Sequence, residues 1–179
     1  MPLYVGDNEI FGGDASNVQD TKVNDLELKI SGPNDFSASV SLGKENEGAH
    51  LGVENTALGG FALSGINGGS KNTGIGSKAL QGEGASFSTA VGVQAGATST
   101  GNYNTSVGMD AYLGYVTGGN IPTGEKNTII GARAGYQLDA GSNNVFVGYE
   151  AGTGQTNTNF SIRNGNGNVL IGSNVLFDY

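Results

Sequence analysis

The sequence predicts an all-β protein: a trimeric parallel β-roll, that is a β-solenoid, of 16–17-residue coils with a small N-terminal β docking element. The main observation is a phrase that recurs along most of the chain. It consists of Asn, then Thr or Val, one variable residue, a branched apolar residue, Gly, two variable residues and usually Ala. The second observation is that 33 of the 179 residues are glycine. The repeats are also rich in Val, Ile, Thr and Asn, which are poor helix formers.

The Gly of the phrase marks the length of each coil. It occurs at Gly43, Gly59, Gly76, Gly92, Gly108, Gly131, Gly148 and Gly172. The steps between successive members are 16, 17, 16, 16, 23, 17 and 24 residues. Two steps are therefore about seven residues too long, and we expect insertions there, at 112–126 and 153–167. The Gly itself is predicted to have a positive φ or to lie where two backbones approach closely.

Each regular coil is too short for a two-helix repeat. It has room for a strand of about four or five residues, a turn, a second short strand and a second turn. Because successive coils stack in register, the Asn residues of the phrase are expected to form a ladder in which each amide meets the next.

The apolar residues of one coil are few: the residue before the Gly, the Ala three positions after it and sometimes a Leu that follows. Units that cannot bury their own apolar face must stack or associate. A small residue recurs at one position of the coil and would let three chains approach closely around an axis. Its members are Ala79, Ala95, Ala111, Ala134 and Ala151. This pattern favours a homotrimer, and a single-chain solenoid is the alternative.

Two units are predicted, an N-terminal β docking or cap element at 1–38 and the repeat array at 39–179. In the first unit, Leu3–Val5 and Glu9–Phe11 flank a Gly-Asp-Asn turn signal, which indicates a hairpin. Alternating apolar and polar residues predict two further strands, at 26–30 and 36–42.

The negative charge is concentrated at one end of the chain. Residues 1–54 hold ten acidic residues and three lysines, a net charge of −7, whereas residues 55–179 hold six acidic and five basic residues. A nearly neutral array offers no basic face to nucleic acid. The acidic segment is expected either to attach to a basic partner or only to keep the protein soluble. No apolar run is long enough for membrane insertion, and Met1–Asp7 lacks signal-peptide features.

The sequence predicts no catalytic site, cofactor or metal. His50 is the only histidine and cysteine is absent, which leaves little for a transition-metal cluster or a Ser-His-Asp relay. The Gly-x-x-x-x-Gly spacing at 119–124 resembles a phosphate loop, but Glu125 stands where the lysine should be. Glu45 and Glu47 are predicted to be a solvated face rather than a glycosidase pair.

Contact with a ligand or partner is expected on the two insertions, because function collects on loops held by a rigid scaffold. The candidate contact residues are Tyr112, Tyr115, Asn120, Phe160 and Arg163. Their rings, amide and cation suit weak polyvalent contact with a host surface glycan or a neighbouring protein. The alternative is that the insertions only brace adjacent chains within the trimer.

The repeated Asn-Thr-x-Ile/Val-Gly-x-x-Ala phrase resembles two families, over residues from about 39 to 175. One is the head of trimeric autotransporter adhesins, whose repeats build a left-handed parallel β-roll. The other is the set of Asn-Thr-x-x-Gly-x-x-Ala repeats in tail fibres and other appendages of tailed bacteriophages. The export signal, heptad stalk and membrane anchor of the first family are not seen in this sequence. Met1–Ile10 looks instead like the short strands by which phage appendage proteins attach to a virion.

The resemblance implies a non-enzymatic structural protein located in the virion of a tailed bacteriophage. In this interpretation the chain is a homotrimeric tail fibre or spike that attaches by its N-terminal segment and displays the β-roll for host adhesion. The implied partners are further copies of the chain, other virion proteins (tail or capsid) through residues 1–54, and a host surface glycan or protein. The alternatives are a trimeric capsid decoration (cement) protein that stabilises the phage head, the head of a bacterial trimeric adhesin, and a carbohydrate-active enzyme on a solenoid.

Overall fold

The computed structural model describes residues 52–82, 84–114, 121–153 and 164–175, together with five strands that precede residue 43. The five strands are β1 (Leu3–Val5), β2 (Asn8–Phe11), β3 (Asp20–Val23), β4 (Leu26–Ile30) and β5 (Val40–Leu42). Seven strands of three residues follow: β6 (Thr56–Leu58), β7 (Thr73–Ile75), β8 (Thr89–Val91), β9 (Thr105–Val107), β10 (Thr128–Ile130), β11 (Val145–Val147) and β12 (Val169–Ile171).

The strands form two sheets. β1 and β2 make a separate antiparallel hairpin, as predicted. The other ten strands lie in one sheet in the chain order β3 to β12. Every neighbouring pair from β5 to β12 is parallel and joins equivalent residues of successive coils, whereas β3–β4 and β4–β5 are antiparallel. The all-β fold and the parallel stacking are therefore confirmed. Of the two further predicted strands, β4 matches 26–30, while only β5 of the 36–42 segment is described.

Each coil contains less β-structure than the sequence predicted. A described coil has one strand of three residues, not two strands with a first strand of four or five. The rest of the coil consists of turns, which still pair with the next coil through the main chain. Leu63 N–H donates to Ala79 O at 3.0 Å, and Lys78 N–H donates to Gly60 O at 2.9 Å. Coil-to-coil hydrogen bonding thus extends beyond the strands.

The two long steps keep the coils in register. Thr105 pairs with Thr128 across the first step, and Val145 pairs with Val169 across the second. Because the equivalent coil positions resume after each step, the extra residues fall within 115–121 and 154–163. The described residues stop at Gly114, six residues after Gly108, and at Thr153, five residues after Gly148. Most of the inserted residues lie outside the described residues.

The repeat Gly has positive φ in all seven described coils, between 123° and 137°. It also lies against its counterpart in the next coil, since a Cβ atom on Gly92 would stand 2.6 Å from the carbonyl oxygen of Gly108. Both predicted reasons for the glycine therefore apply at once. Gly43 lies outside the described residues.

The predicted Asn ladder runs through the buried part of the stack. In each rung the side-chain oxygen accepts the main-chain N–H of the next coil, as from Asn55 to Asn72 at 2.9 Å. Ser88 replaces Asn in one coil, and its hydroxyl accepts the N–H of Asn104 at 3.2 Å. Contacts between the side-chain amides themselves occur in the later coils, as between Asn127 and Asn144 at 3.1 Å. These bonds satisfy main-chain groups that would otherwise be buried without partners.

The interior of the coil is lined by the central residue of each strand, not by the residue before the repeat Gly. Ala57 and Ile129 are buried at strand centres, whereas the following Leu58 and Ile130 are 47% and 39% exposed. The residue before the Gly, one of the few apolar residues of each coil, therefore adds to the surface in these coils and not to the interior. Neighbouring strand residues point to opposite sides, so a shift of one position exchanges the inner and outer sets.

The recurring Ala also lies inside the coil. Its exposure is 0% at Ala79, Ala95, Ala111, Ala134 and Ala151. These residues pack in the two buried apolar clusters of the stack together with larger side chains such as Leu80 and Phe146. The prediction that the small Ala residues line the axis of a trimer is wrong, because they have no surface left for another chain.

Candidate functional site

The outward side of the parallel strands forms a continuous surface that we call the strand face. It consists of the first and third residues of β6 to β12 and the residue after each repeat Gly. The first residue is Thr in five coils and Val in two, and the third is Leu, Ile or Val in all seven. No charged residue occurs at these three positions in the seven described coils. Because the strands pair in register, like residues form columns along the stack.

The strand face leaves large apolar side chains in water. Ile75 is 37% exposed and Ile171 69%, and in the column after the repeat Gly, Val93, Met109 and Tyr149 are 50%, 52% and 50% exposed. Seven coils at roughly 4.8 Å make this surface about 29 Å long. Contiguous apolar surface of this kind on a single chain marks a site of interaction.

A second surface column, the corner column, is formed by the residue before each ladder position. Phe87 and Tyr103 stack there with ring centroids 4.9 Å apart and an angle of 12° between the rings. The Lys71 ammonium lies 5.1 Å from the Phe87 ring centroid and 4.0 Å from the Glu54 carboxylate. Phe87 and Tyr103 remain 46% and 51% exposed. The column thus presents two partly exposed rings and a cation on the surface.

The first residues of the corner column share one backbone conformation. The φ angles of Lys71, Phe87 and Tyr103 are 61°, 57° and 61°, in the left-handed region. Sequence reasoning did not select Phe87 and Tyr103 as contact residues. A signal was present, because both stand one residue before the ladder position of consecutive coils.

Charged groups also occur two residues after the repeat Gly. Arg133 Nη1 lies 2.6 Å from the carboxylate of Glu150, one coil further on, and the Arg133 guanidinium lies 5.0 Å from the Tyr136 ring centroid. Glu150 is only 6% exposed. A nearly buried carboxylate requires such a partner, so this pair is explained by the stability of the stack.

Tyr112 does not contact a partner as predicted, because it is fully buried in the second apolar cluster. Its hydroxyl donates to Gly124 O at 3.0 Å and accepts from Asn127 Nδ2 at 3.4 Å. Burial raises the pKa of Tyr112 to about 12. The first residue of the predicted insertion is therefore a core residue that braces the ladder.

The other predicted contact residues lie outside the described residues. These are Tyr115, Asn120, Phe160 and Arg163. Their part in ligand contact or in bracing a trimer stays a prediction. The segment 1–54 is described only in its five strands and in residues 52–54, so its expected attachment to a partner also stays a prediction.

The described residues hold no group of three or more His, Cys, Asp or Glu side chains placed to bind a metal ion. Within the same part of the chain, no helix is long and apolar enough to cross a membrane. Among the described residues, the strand face and the corner column are the surfaces that expose large apolar or aromatic side chains in columns.

Comparison with protein-family models finds no match to this chain. Searches of curated proteins and of solved structures also find no match.

Proposed function

We propose that the chain is a non-enzymatic structural protein of a tailed-bacteriophage virion. In this proposal it is a homotrimeric tail fibre or spike, which attaches to the particle through residues 1–54 and displays its parallel β stack for host adhesion. The phage assignment is supported by the Asn-Thr-x-x-Gly-x-x-Ala phrase, which seven described coils carry with modest variation.

The observation that carries the proposal is the uncharged strand face. Burying one exposed Leu, Ile or Val against another chain gains about 1–2 kcal/mol, and the face offers such a residue in every coil. A second copy of the chain has the same spacing between its coils. Each coil of one strand face can therefore contact a coil of the other strand face. Close association around an axis then uses the third strand residues, such as Ile75 and Ile130, in place of the buried Ala.

The two ends of the stack differ, which supports attachment by one of them. At the N-terminal end, the antiparallel strands β3 and β4 extend the sheet beyond the first parallel strand, β5. The segment that contains them carries a net charge of −7 within residues 1–54. A basic surface on another virion protein would complement this charge, and raised salt should then weaken attachment.

Host contact is assigned to the corner column. Its partly exposed rings offer apolar surface beside the Tyr103 hydroxyl and the Lys71 ammonium, so packing and hydrogen bonding to a saccharide can occur together. The column is exposed on the described surface, unlike Tyr112. Three copies around an axis would multiply a weak contact through avidity.

The test is imaging of intact phage particles that carry a label at the C-terminus of this chain. We expect label on the tail, projecting from the particle. Label distributed over the head would support a capsid decoration protein instead, and particles without label would reject both roles. Deletion of residues 1–35 should give a folded oligomer that no longer joins the particle, and normal incorporation of this variant would reject N-terminal attachment.

A further inference from the structure

Three Asn-Gly pairs occur in the whole sequence: Asn67–Gly68, Asn164–Gly165 and Asn166–Gly167. An Asn side chain can be attacked by the main-chain nitrogen of the next residue. Gly permits this reaction best, because it has no side chain to obstruct the approach and a wide range of backbone conformations. The surroundings of each pair decide whether the attack is open.

Two of the three pairs are held by hydrogen bonds. Asn166 Oδ1 accepts the main-chain N–H of Ser142 at 2.7 Å, and Asn164 Oδ1 accepts that of Ala140 at 3.3 Å. Both side chains are thus tied to the preceding coil although they lie on the surface. A side chain held in this way is hindered from turning its amide carbon toward the following nitrogen.

The Asn67–Gly68 pair stands at an open turn. Both residues are exposed, with φ angles of 25° and 86°. No hydrogen bond from the Asn67 side chain or the Gly68 N–H occurs among the described residues. A Cβ atom on Gly68 would meet nothing within 4 Å. The flanking Gly69 N–H donates to Ile66 O at 2.8 Å, so the turn is anchored next to the exposed pair.

The ladder residues show the opposite arrangement. Asn55 and Asn72 are buried, and their amides are engaged with neighbouring coils. Each described ladder Asn is followed by Thr or Val, whose branched side chain obstructs attack by its own nitrogen. The repeat therefore protects the amides on which the stack depends.

We propose that Asn67 is a modification site at which the folded protein deamidates spontaneously. The Gly68 nitrogen loses its proton and bonds to Asn67 Cγ, the bond from Cγ to Nδ2 breaks, and ammonia leaves. Water then opens the resulting succinimide at either carbonyl. The products are aspartate, or isoaspartate in which the main chain runs through the former side chain.

Modification at this turn affects the first described rung of the ladder. Asn55 Nδ2 donates to Gly69 O at 2.8 Å, only two residues beyond Asn67. Isoaspartate adds one carbon to the main chain before Gly69 and so displaces this acceptor. The aged protein should therefore lose protection at coil 55–69 before the later coils. This inference is independent of the proposed function.

The test is incubation of the full chain at mildly alkaline pH, followed by peptide mass spectrometry over time. We expect the Asn67 peptide to convert several times faster than the peptide with Asn164 and Asn166, and to give both products. In denaturant the three pairs should convert at similar rates, because the hydrogen bonds are lost. The variant Asn67→Gln should abolish the early release of ammonia. Equal rates for the three pairs in the folded chain, or unchanged early ammonia release from N67Q, would overturn the proposal.

Discussion

Gly152 leaves space for the ring of Phe146: a Cβ atom on Gly152 would stand 2.6 Å from Cδ2 of that ring. Phe146 is the central residue of β11, and Gly152 stands four residues after the repeat Gly148. In another part of the stack the large residue stands four residues after the repeat Gly and the small one is at a strand centre. Leu63 stands four residues after Gly59 and packs against Gly74, the strand centre of the next coil. A Cβ atom on Gly74 would stand 3.0 Å from Leu63 Cγ. In each of these two pairs a large side chain fills the interior and its neighbour is Gly, as close packing requires.

Exchanging the two sizes should be tolerated better than changing either one. Phe146→Ala leaves a cavity and should lower the free energy of unfolding by about 3–5 kcal/mol. Gly152→Leu alone should clash with the ring. The double variant of Phe146→Ala and Gly152→Leu places Leu at the coil position that Leu63 and Leu80 hold with φ angles of 56° and 47°. Its free energy of unfolding should exceed the value obtained by adding the two single effects by about 1 kcal/mol or more. Urea unfolding at one chain concentration measures this, and strictly additive losses would contradict it.

The repeat Gly should not accept a side chain. Gly92→Val and Gly131→Val combine φ angles of 132° and 134° with a clash against the next coil, so each should cost several times the roughly 1 kcal/mol of an ordinary Gly exchange. Gly84→Ala is the control, because φ is 77° there but a Cβ atom would meet nothing within 4 Å. It should lose only about 1–2 kcal/mol. Equal shifts in thermal melting at all three sites would show that the coil-to-coil clash is unimportant.

The purified chain should be a trimer held by the strand face. Light scattering should give about three times the mass of one chain. Ile130→Lys places a charge at the centre of the face and should dissociate the trimer, because a buried unpaired ammonium is costly. Ala140→Lys adds the same charge at an exposed residue outside the face and should leave the trimer intact. A folded wild-type monomer at micromolar concentration would reject the trimer, and dissociation of both variants would reject the assignment of the face.

Alkaline pH should destabilise the fold through Tyr112. Burial raises its pKa from 10.0 to about 12, so the folded state holds the proton more tightly than the unfolded state. This contribution is complete below pH 10.0 and is lost as the pH rises through about 12. The free energy of unfolding should fall by about 2–3 kcal/mol across this window.

Tyr112→Phe separates this effect from other alkaline titrations. The variant should lose about 1 kcal/mol at neutral pH, because the hydrogen bond from the Tyr112 hydroxyl to Gly124 O is lost while that from Asn104 Nδ2 remains. Its stability should then depend less on pH between 10.0 and about 12. Denaturant unfolding at several pH values, with tyrosinate absorbance as a second readout, checks this. An identical pH slope in both proteins would assign the loss of stability to other groups.

Features that recur at one position of the coil could be predicted from the sequence. The spacing of the glycines predicted the parallel pairing, because equivalent residues of stacked coils must meet. The positive φ at Gly92 and the ladder from Asn127 to Asn144 follow from the same periodicity. These properties depend on which residue types recur at equivalent coil positions, and that recurrence is visible in a single sequence.

The direction of each side chain was decided only by the tertiary structure. Ile130 before the repeat Gly and Ala134 after it are both apolar, and the sequence does not say which one faces inward. The structure turns Ile130 outward and buries Ala134. Tyr112 could be assigned to a surface loop from its sequence neighbourhood, yet it enters the core, where the strand centre of its coil is only Ser106. The physical reason is that inward space depends on the side chains of adjacent coils, which become neighbours only when the chain is stacked.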